Sequence, residues 1–240
     1  MTHDSATTAL RVLTGDEITD EPLGWPVRSH TLLGGGLVSD FVRDEVETPA
    51  GEVMKRDYLL HPGAVGIIAL DDAERVVVVR QLRHPVGFRL VEPPAGLIDA
   101  GETSWVEVAR RELAEEVELA ASDWRILVDY MTSPGCLQET LRVFLARGLT
   151  STARPDGFVV EHEEADMEVC LVPLEELVEA IYAGRIQNPT MVVGALAAYA
   201  ALRTGKVDAL RPAEAAWPAR EVKECRDAQI QALGGETRPR

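Results

Sequence analysis

The chain has 240 residues, enough for one well-buried domain with a small appendage, and its 46% hydrophobic and 27% charged content is that of a globular protein. A formal net charge of −16 argues against nucleic acid as a partner and means that any phosphate-bearing substrate must arrive with cations. Three scattered cysteines, Cys136, Cys170 and Cys225, make neither a disulfide framework nor a zinc site and fit a reducing cytosol. The opening MTHDSATTAL lacks the basic and apolar regions of a signal peptide, and the near-apolar run Met191 to Leu202 is too short to span a bilayer. The expectation is a cytoplasmic protein with no membrane partner.

Residues 1 to about 27 are polar with Pro and Gly and read as a loose lead-in. From Arg28 to Leu60 the pattern is β. DFVRDEVE and VMKRDYLL alternate as antiparallel strands with one packed face, joined by a turn over Pro49 to Glu52. So small a sheet is marginal alone and must lean on something else. GAVGIIAL (63–70) and RVVVVRQL (75–82) are apolar runs predicted as two central strands joined by a tight turn, and 88–92 as a short strand.

Residues 92–119, EPPAGLIDAGETSWVEVARRELAEEVEL, follow. Ser104 with Glu107 three positions on forms a capping-box pattern, which predicts a helix starting near Trp105. Its apolar stripe is Val106, Ala109, Leu113 and Val117. On the same wheel Glu116 lies roughly 60° from Leu113, Glu112 roughly 100° and Glu115 roughly 160°. Glu112 and Glu116 therefore share the rim of the buried face, one turn apart, while Glu115 points more nearly to solvent beside Arg111. Two stacked carboxylates facing a Gly-rich loop suit a hard divalent cation, since Mg²⁺ needs only one or two of them. The plain alternative is a solvated acidic helix face.

Strands are predicted over 124–131 and 139–146 with a turn at Ser133-Pro134-Gly135. A polar connection over 148–166 carries a second acidic cluster, Glu161-His162-Glu163-Glu164. A strand over 168–172 and helices over 174–183 and 190–202 follow, the last entered through Asn188-Pro189. Residues 204–240 read as an exposed tail with a short helix near 219–233. The predicted division is thus 1–60, lead-in and small sheet; 61–203, main domain; and 204–240, tail.

Gly96, Glu102, Arg111-Glu112-Leu113 and Glu115-Glu116 resemble the Nudix hydrolase signature, Gly, five residues, Glu, seven residues, then Arg-Glu-apolar-x-Glu-Glu-x-Gly-apolar. Eight residues separate Glu102 from Arg111 here, and Glu118 stands where that signature has Gly. Pro134, fifteen positions after Leu119, together with the HPGAVGIIAL, RQLRHPVG and EPPAGLIDAGE segments, resembles the ADP-ribose pyrophosphatase branch. The resemblance implies an α/β fold, a Nudix α/β/α sandwich with a mixed sheet plus a small N-terminal antiparallel sheet exchanged in a homodimer.

For chemistry, the resemblance implies Mg²⁺-dependent hydrolysis of ADP-ribose to AMP and ribose 5-phosphate, with Mn²⁺ as a possible substitute. Another nucleoside diphosphate sugar, and a non-catalytic sensor of such ligands, are the competing readings. Metal ligands would be Glu112, Glu116 and the Ala95 carbonyl, with Glu115 acting through water. The base would be Glu163 or Glu164; His162 beside them reads as a surface residue. Arg56, Arg83 and Pro134 would contact substrate, and Glu92 would meet either metal or ribose. Trp25, Phe41 and Phe88 are candidates to stack on a base, although such residues are more often core. If the acidic loop supplies the base, Glu163→Gln and Glu164→Gln will differ in single-turnover rate at saturating metal. Equal rates in both variants would place the base elsewhere.

Overall fold

The computed structural model describes residues 10–155 and 166–232. Its centre is a five-stranded mixed sheet in the order β11-β8-β9-β4-β7. The strands are β4 (Ala64–Ala69), β7 (Ala95–Leu97), β8 (Leu119–Met131), β9 (Thr140–Ser151) and β11 (Arg211–Pro212). β4 and β9 run parallel and the other pairs antiparallel. Every residue of β4 is buried, which explains the uninterrupted apolar run, because helices cover both faces of the strand.

On one face, Val65 and Ile67 pack with Val106, Ala109 and Leu113 of α1 (Trp105–Val117). On the other, Ala64 and Ile68 pack with Leu177 of α2 (Leu174–Tyr182) and with Met191 and Ala195 of α3 (Pro189–Arg203). Asn188 caps α3, its side chain accepting the Met191 amide at 2.9 Å. The sandwich is the one expected. β5 (Arg75–Arg83), in contrast, does not continue the sheet of β4. The two touch at one bridge, Leu70 to Val76, and β5 becomes the centre of a second sheet between β10 (Glu168–Pro173) and β6 (Phe88–Glu92). Hydrophobicity alone does not say which sheet a buried strand joins.

A third sheet comprises β1 (Val27–Gly35), β2 (Asp40–Glu47) and β3 (Val53–Leu60), all antiparallel. The buried face of β2 carries two carboxylates, Asp40 and Asp44, alternating with Val42 and Val46. Asp44 is fully enclosed and accepts from Tyr58 Oη at 2.8 Å and Arg226 Nη2 at 2.8 Å, with His30 Nδ1 2.6 Å away. Arg226 belongs to α4 (Pro218–Ala232), so the small sheet leans on the C-terminal helix.

Residues 204–232 are therefore not an exposed extension. Trp217, Ala213 and Ile230 are buried, and Trp217 meets Trp105 edge to face at 5.9 Å. Beneath it Arg142, with no exposed surface, forms a fork on Asp129 at 2.7 and 2.9 Å. It also donates to the Ala215 and Ala216 carbonyls at 2.8 and 3.0 Å and lies 4.7 Å from the Trp217 ring. A buried guanidinium so fully paired fixes the path of the tail. The sequence disguised this because the anchors are one Trp and one buried Arg, without a periodic stripe. Trp217→Ala should cost about 3–5 kcal/mol in chemical denaturation. An unchanged midpoint would mean that 204–232 is not part of the core.

Candidate active site

α1 places its acidic residues against β7. The Glu112 carboxyl packs directly on the backbone of Gly96, where a Cβ would overlap Cδ and Oε1 of Glu112. Only glycine permits that approach. One turn on, Glu116 Oε2 accepts the Ala95 amide at 3.1 Å. The two carboxylates thus meet adjacent residues of β7 from the shared rim that the helical wheel predicted.

Glu112 is mostly buried, and its pKa is pushed up to about 7. Loss of hydration is the main cause. Arg111, 3.1 Å away, pulls in the opposite direction, while Glu115, Glu102 and Asp99 add repulsion. Burial wins over the ion pair. A group in that state is one that a dication would return to full ionisation.

Arg111 pins the loop that precedes α1. It donates to Glu102 at 3.1 Å and reaches Asp99 at 3.6 Å. Glu102 in turn accepts the Asp99 amide at 2.8 Å, so the extra residue is absorbed in the loop and Glu102 still meets Arg111. The capping box is not made. Ser104 stands at the N-cap without a side-chain hydrogen bond, and Glu107 pairs instead with Arg110.

The far end of α1 holds a feature the sequence did not reveal. Glu118 adopts the left-handed conformation, φ 56°, that glycine would take there. Arg154 secures it, donating through Nε to the Glu115 carbonyl at 2.8 Å and reaching the Glu118 carboxylate at 2.9 Å. An arginine at a helix C-terminus also opposes the macrodipole, which helps to fix the turn that carries Glu115 and Glu116.

Glu92 is buried at the end of β6 and has both oxygens occupied, by Arg83 at 2.7–3.1 Å and by Gln81 at 3.1 Å. Arg83 is thereby aimed at the strand end beside the Pro93–Gly96 turn. Arg56 and Pro134 come together elsewhere, in a cleft between β3, residues 131–140 and α4. Trp25, Phe41 and Phe88 are partly exposed and belong to neither core cluster. Glu163 and Glu164, with His162, lie outside the described residues.

Among the described residues no three His, Cys, Asp or Glu side chains converge to hold a metal. A hard divalent cation asks for only one or two carboxylates, and Glu112 and Glu116 supply two. Among the same residues no helix is long and apolar enough to cross a membrane.

The NUDIX domain family matches residues 60–192. A Mycobacterium tuberculosis protein named ADP-ribose pyrophosphatase is 42% identical over 192 residues, covering 80% of this chain and 89% of the other. A Bacillus subtilis protein of the same name is 35% identical over 145 residues, 60% of this chain and 78% of that one. Among solved structures, one described as an ADP compounds hydrolase superposes with a TM-score of 0.62 at 18% identity, over 79% of this chain and all of the other. At that identity it speaks to the fold alone.

Because Glu112 sits on bare backbone, Gly96→Ala should weaken Mn²⁺ binding, followed by electron paramagnetic resonance, roughly 10–100-fold. The thermal midpoint should hardly move. Unaltered Mn²⁺ affinity would show that this contact does not shape a metal site.

Proposed function

The chain belongs to the Nudix family, and from that premise we propose that it hydrolyses the diphosphate bond of ADP-ribose, giving AMP and ribose 5-phosphate in a Mg²⁺-dependent reaction. The observation that carries the chemistry is the pair of carboxylates, Glu112 and Glu116, stacked on the Ala95–Gly96 backbone. The substrate is supported by the M. tuberculosis relative, which this chain matches over most of its length.

In this reading Glu112, Glu116 and the Ala95 carbonyl would hold Mg²⁺, with Glu115 contributing through water. Bound there, Mg²⁺ (or Mn²⁺ in its place) would draw charge from the bridging oxygens and acidify a water. Arg111, Glu102 and Asp99 hold the loop in register with α1, so that the carboxylates keep their spacing. Glu92 positions Arg83, whose guanidinium neutralises phosphate charge in a protein otherwise rich in acid. Glu163 or Glu164 takes the proton from the attacking water.

We assign the protein to a reducing cytosol, on its three free cysteines, and to a homodimer. Phe41 of β2 and Val53 and Leu59 of β3 leave partly exposed apolar side chains on the small sheet, as an incomplete interface does.

The test is product analysis with ADP-ribose, UDP-glucose and GDP-mannose, each with Mg²⁺ and with EDTA, and sedimentation of the same sample. AMP and ribose 5-phosphate should form only with metal, from a species of twice 26.2 kDa. Glu112→Gln and Glu116→Gln should lower turnover by about two orders of magnitude or more while remaining folded. Metal-dependent cleavage of another nucleotide sugar alone would keep the chemistry and discard the substrate. Normal turnover in both variants would overturn the metal assignment.

A further inference from the structure

α1 ends in a run of acid. Glu112, Glu115, Glu116 and Glu118 follow one another within about two turns, and the last turn contains no basic residue. A helix C-terminus is the negative pole of the helix dipole, so carboxylates gathered there are repelled by it and by one another. The counter-charge has to come from another segment. Arg154, just beyond β9, supplies it by reaching the Glu118 carboxylate through Nη1 at 2.9 Å.

The backbone gives the same arginine a second task. In a helix that continued, the Glu115 carbonyl would accept the amide of residue 119. Leu119 has instead entered β8 opposite Ser151, because Glu118 turns the chain at φ 56°. Arg154 Nε donates to that carbonyl at 2.8 Å and stands in for the missing amide. Close by, Thr152 donates its amide to the Glu118 carbonyl at 2.9 Å, so backbone and side chain together join the end of α1 to the end of β9.

A glycine at position 118 would make the left-handed turn unstrained and would add no carboxylate. With glutamate there, the turn must hold both a strained residue and an extra charge, and it does so through Arg154. The two positions act as a unit. That unit bears on the two glutamates before it: Glu115, whose carbonyl it grips, and Glu116, whose Oε2 rests on the Ala95 amide at 3.1 Å. The Arg154 and Glu118 side chains are 35% and 53% exposed, and an ion pair so exposed adds little to global stability. Its effect is local, on where the last turn of α1 directs its carboxylates.

We propose that Arg154 is a positioning residue for the metal site, required because residue 118 is not glycine; the assignment rests on the metal reading above. Two measurements on the full-length protein test it. Without metal, hydrogen exchange at the amides of residues 113–119 should quicken about tenfold in Arg154→Ala. Mn²⁺ binding, followed by electron paramagnetic resonance, should weaken about tenfold in the same variant. The thermal midpoint, and KM for ADP-ribose at saturating metal, should hardly move. On a Glu118→Gly background the same Arg154→Ala change should alter Mn²⁺ affinity by about twofold or less, because glycine makes the turn without help.

Wild-type Mn²⁺ affinity in Arg154→Ala, or an equal loss on both backgrounds, would overturn the proposal. A raised KM at saturating metal would make Arg154 a substrate contact and overturn it as well. If the wild-type protein binds no Mn²⁺, the metal reading falls, and the exchange rates still decide whether Arg154 holds the last turn of α1.

Discussion

The structure is arranged around one costly act, holding the Glu112 carboxyl in a half-dry pocket against the backbone of Gly96. A carboxylate is stable in such a place only with compensating charge, and one arginine at 3.1 Å leaves its pKa near 7. The rest of the site follows from that requirement. Residue 96 must lack a side chain. α1 must not rotate, so Val106, Ala109 and Leu113 lock it to the sheet at zero to 3% exposure. The loop before it must not drift, and Arg111 with Glu102 holds it. The residual deficit of positive charge is the physical reason for proposing a cation there.

The two departures from the family signature fall where they are cheap. One extra residue enters a surface loop, where lengthening costs little entropy and Glu102 can still reach Arg111. The replacement of glycine by Glu118 demands a left-handed non-glycine residue, a strain of order 1 kcal/mol. Arg154 offsets it with one bond to the Glu115 carbonyl and one ion pair to Glu118 itself. Glycine there is a convenience of the backbone, and a side chain able to recruit its own partner can stand in.

Legibility in the sequence tracked locality. Element positions were readable because each rests on its own periodicity, and the Glu112/Glu116 pairing was readable because both sit on one helix whose wheel fixes their relation. Contacts between distant segments were not. Nothing in RVVVVRQL says that β5 joins a second sheet, since a strand buried on both faces reads alike in either. Ser104 and Glu107 satisfied a capping pattern, yet Arg110 competes for Glu107 and the box stays open. Arg154, some 39 positions from its carbonyl partner, and Trp217, far along the chain from the Trp105 it touches, carry no local signal at all.

That limit explains why the tail looked dispensable. A 3-stranded sheet with Asp40 and Asp44 on its inner face cannot bury itself against an apolar surface, because Asp44 would lose hydration without recompense. Its partner must bring a cation and must come from outside the main sandwich. α4 meets both demands through Arg226, while Trp217 and the Arg142 fork bolt the start of that helix to the sheet that carries the site. The acid on β2 and the base on α4 are thus two halves of one decision. A chain that places carboxylates on the inner face of a small sheet has also to supply the basic helix that closes over them, and in doing so it gains a second wall beside Arg56 that the core domain by itself does not supply.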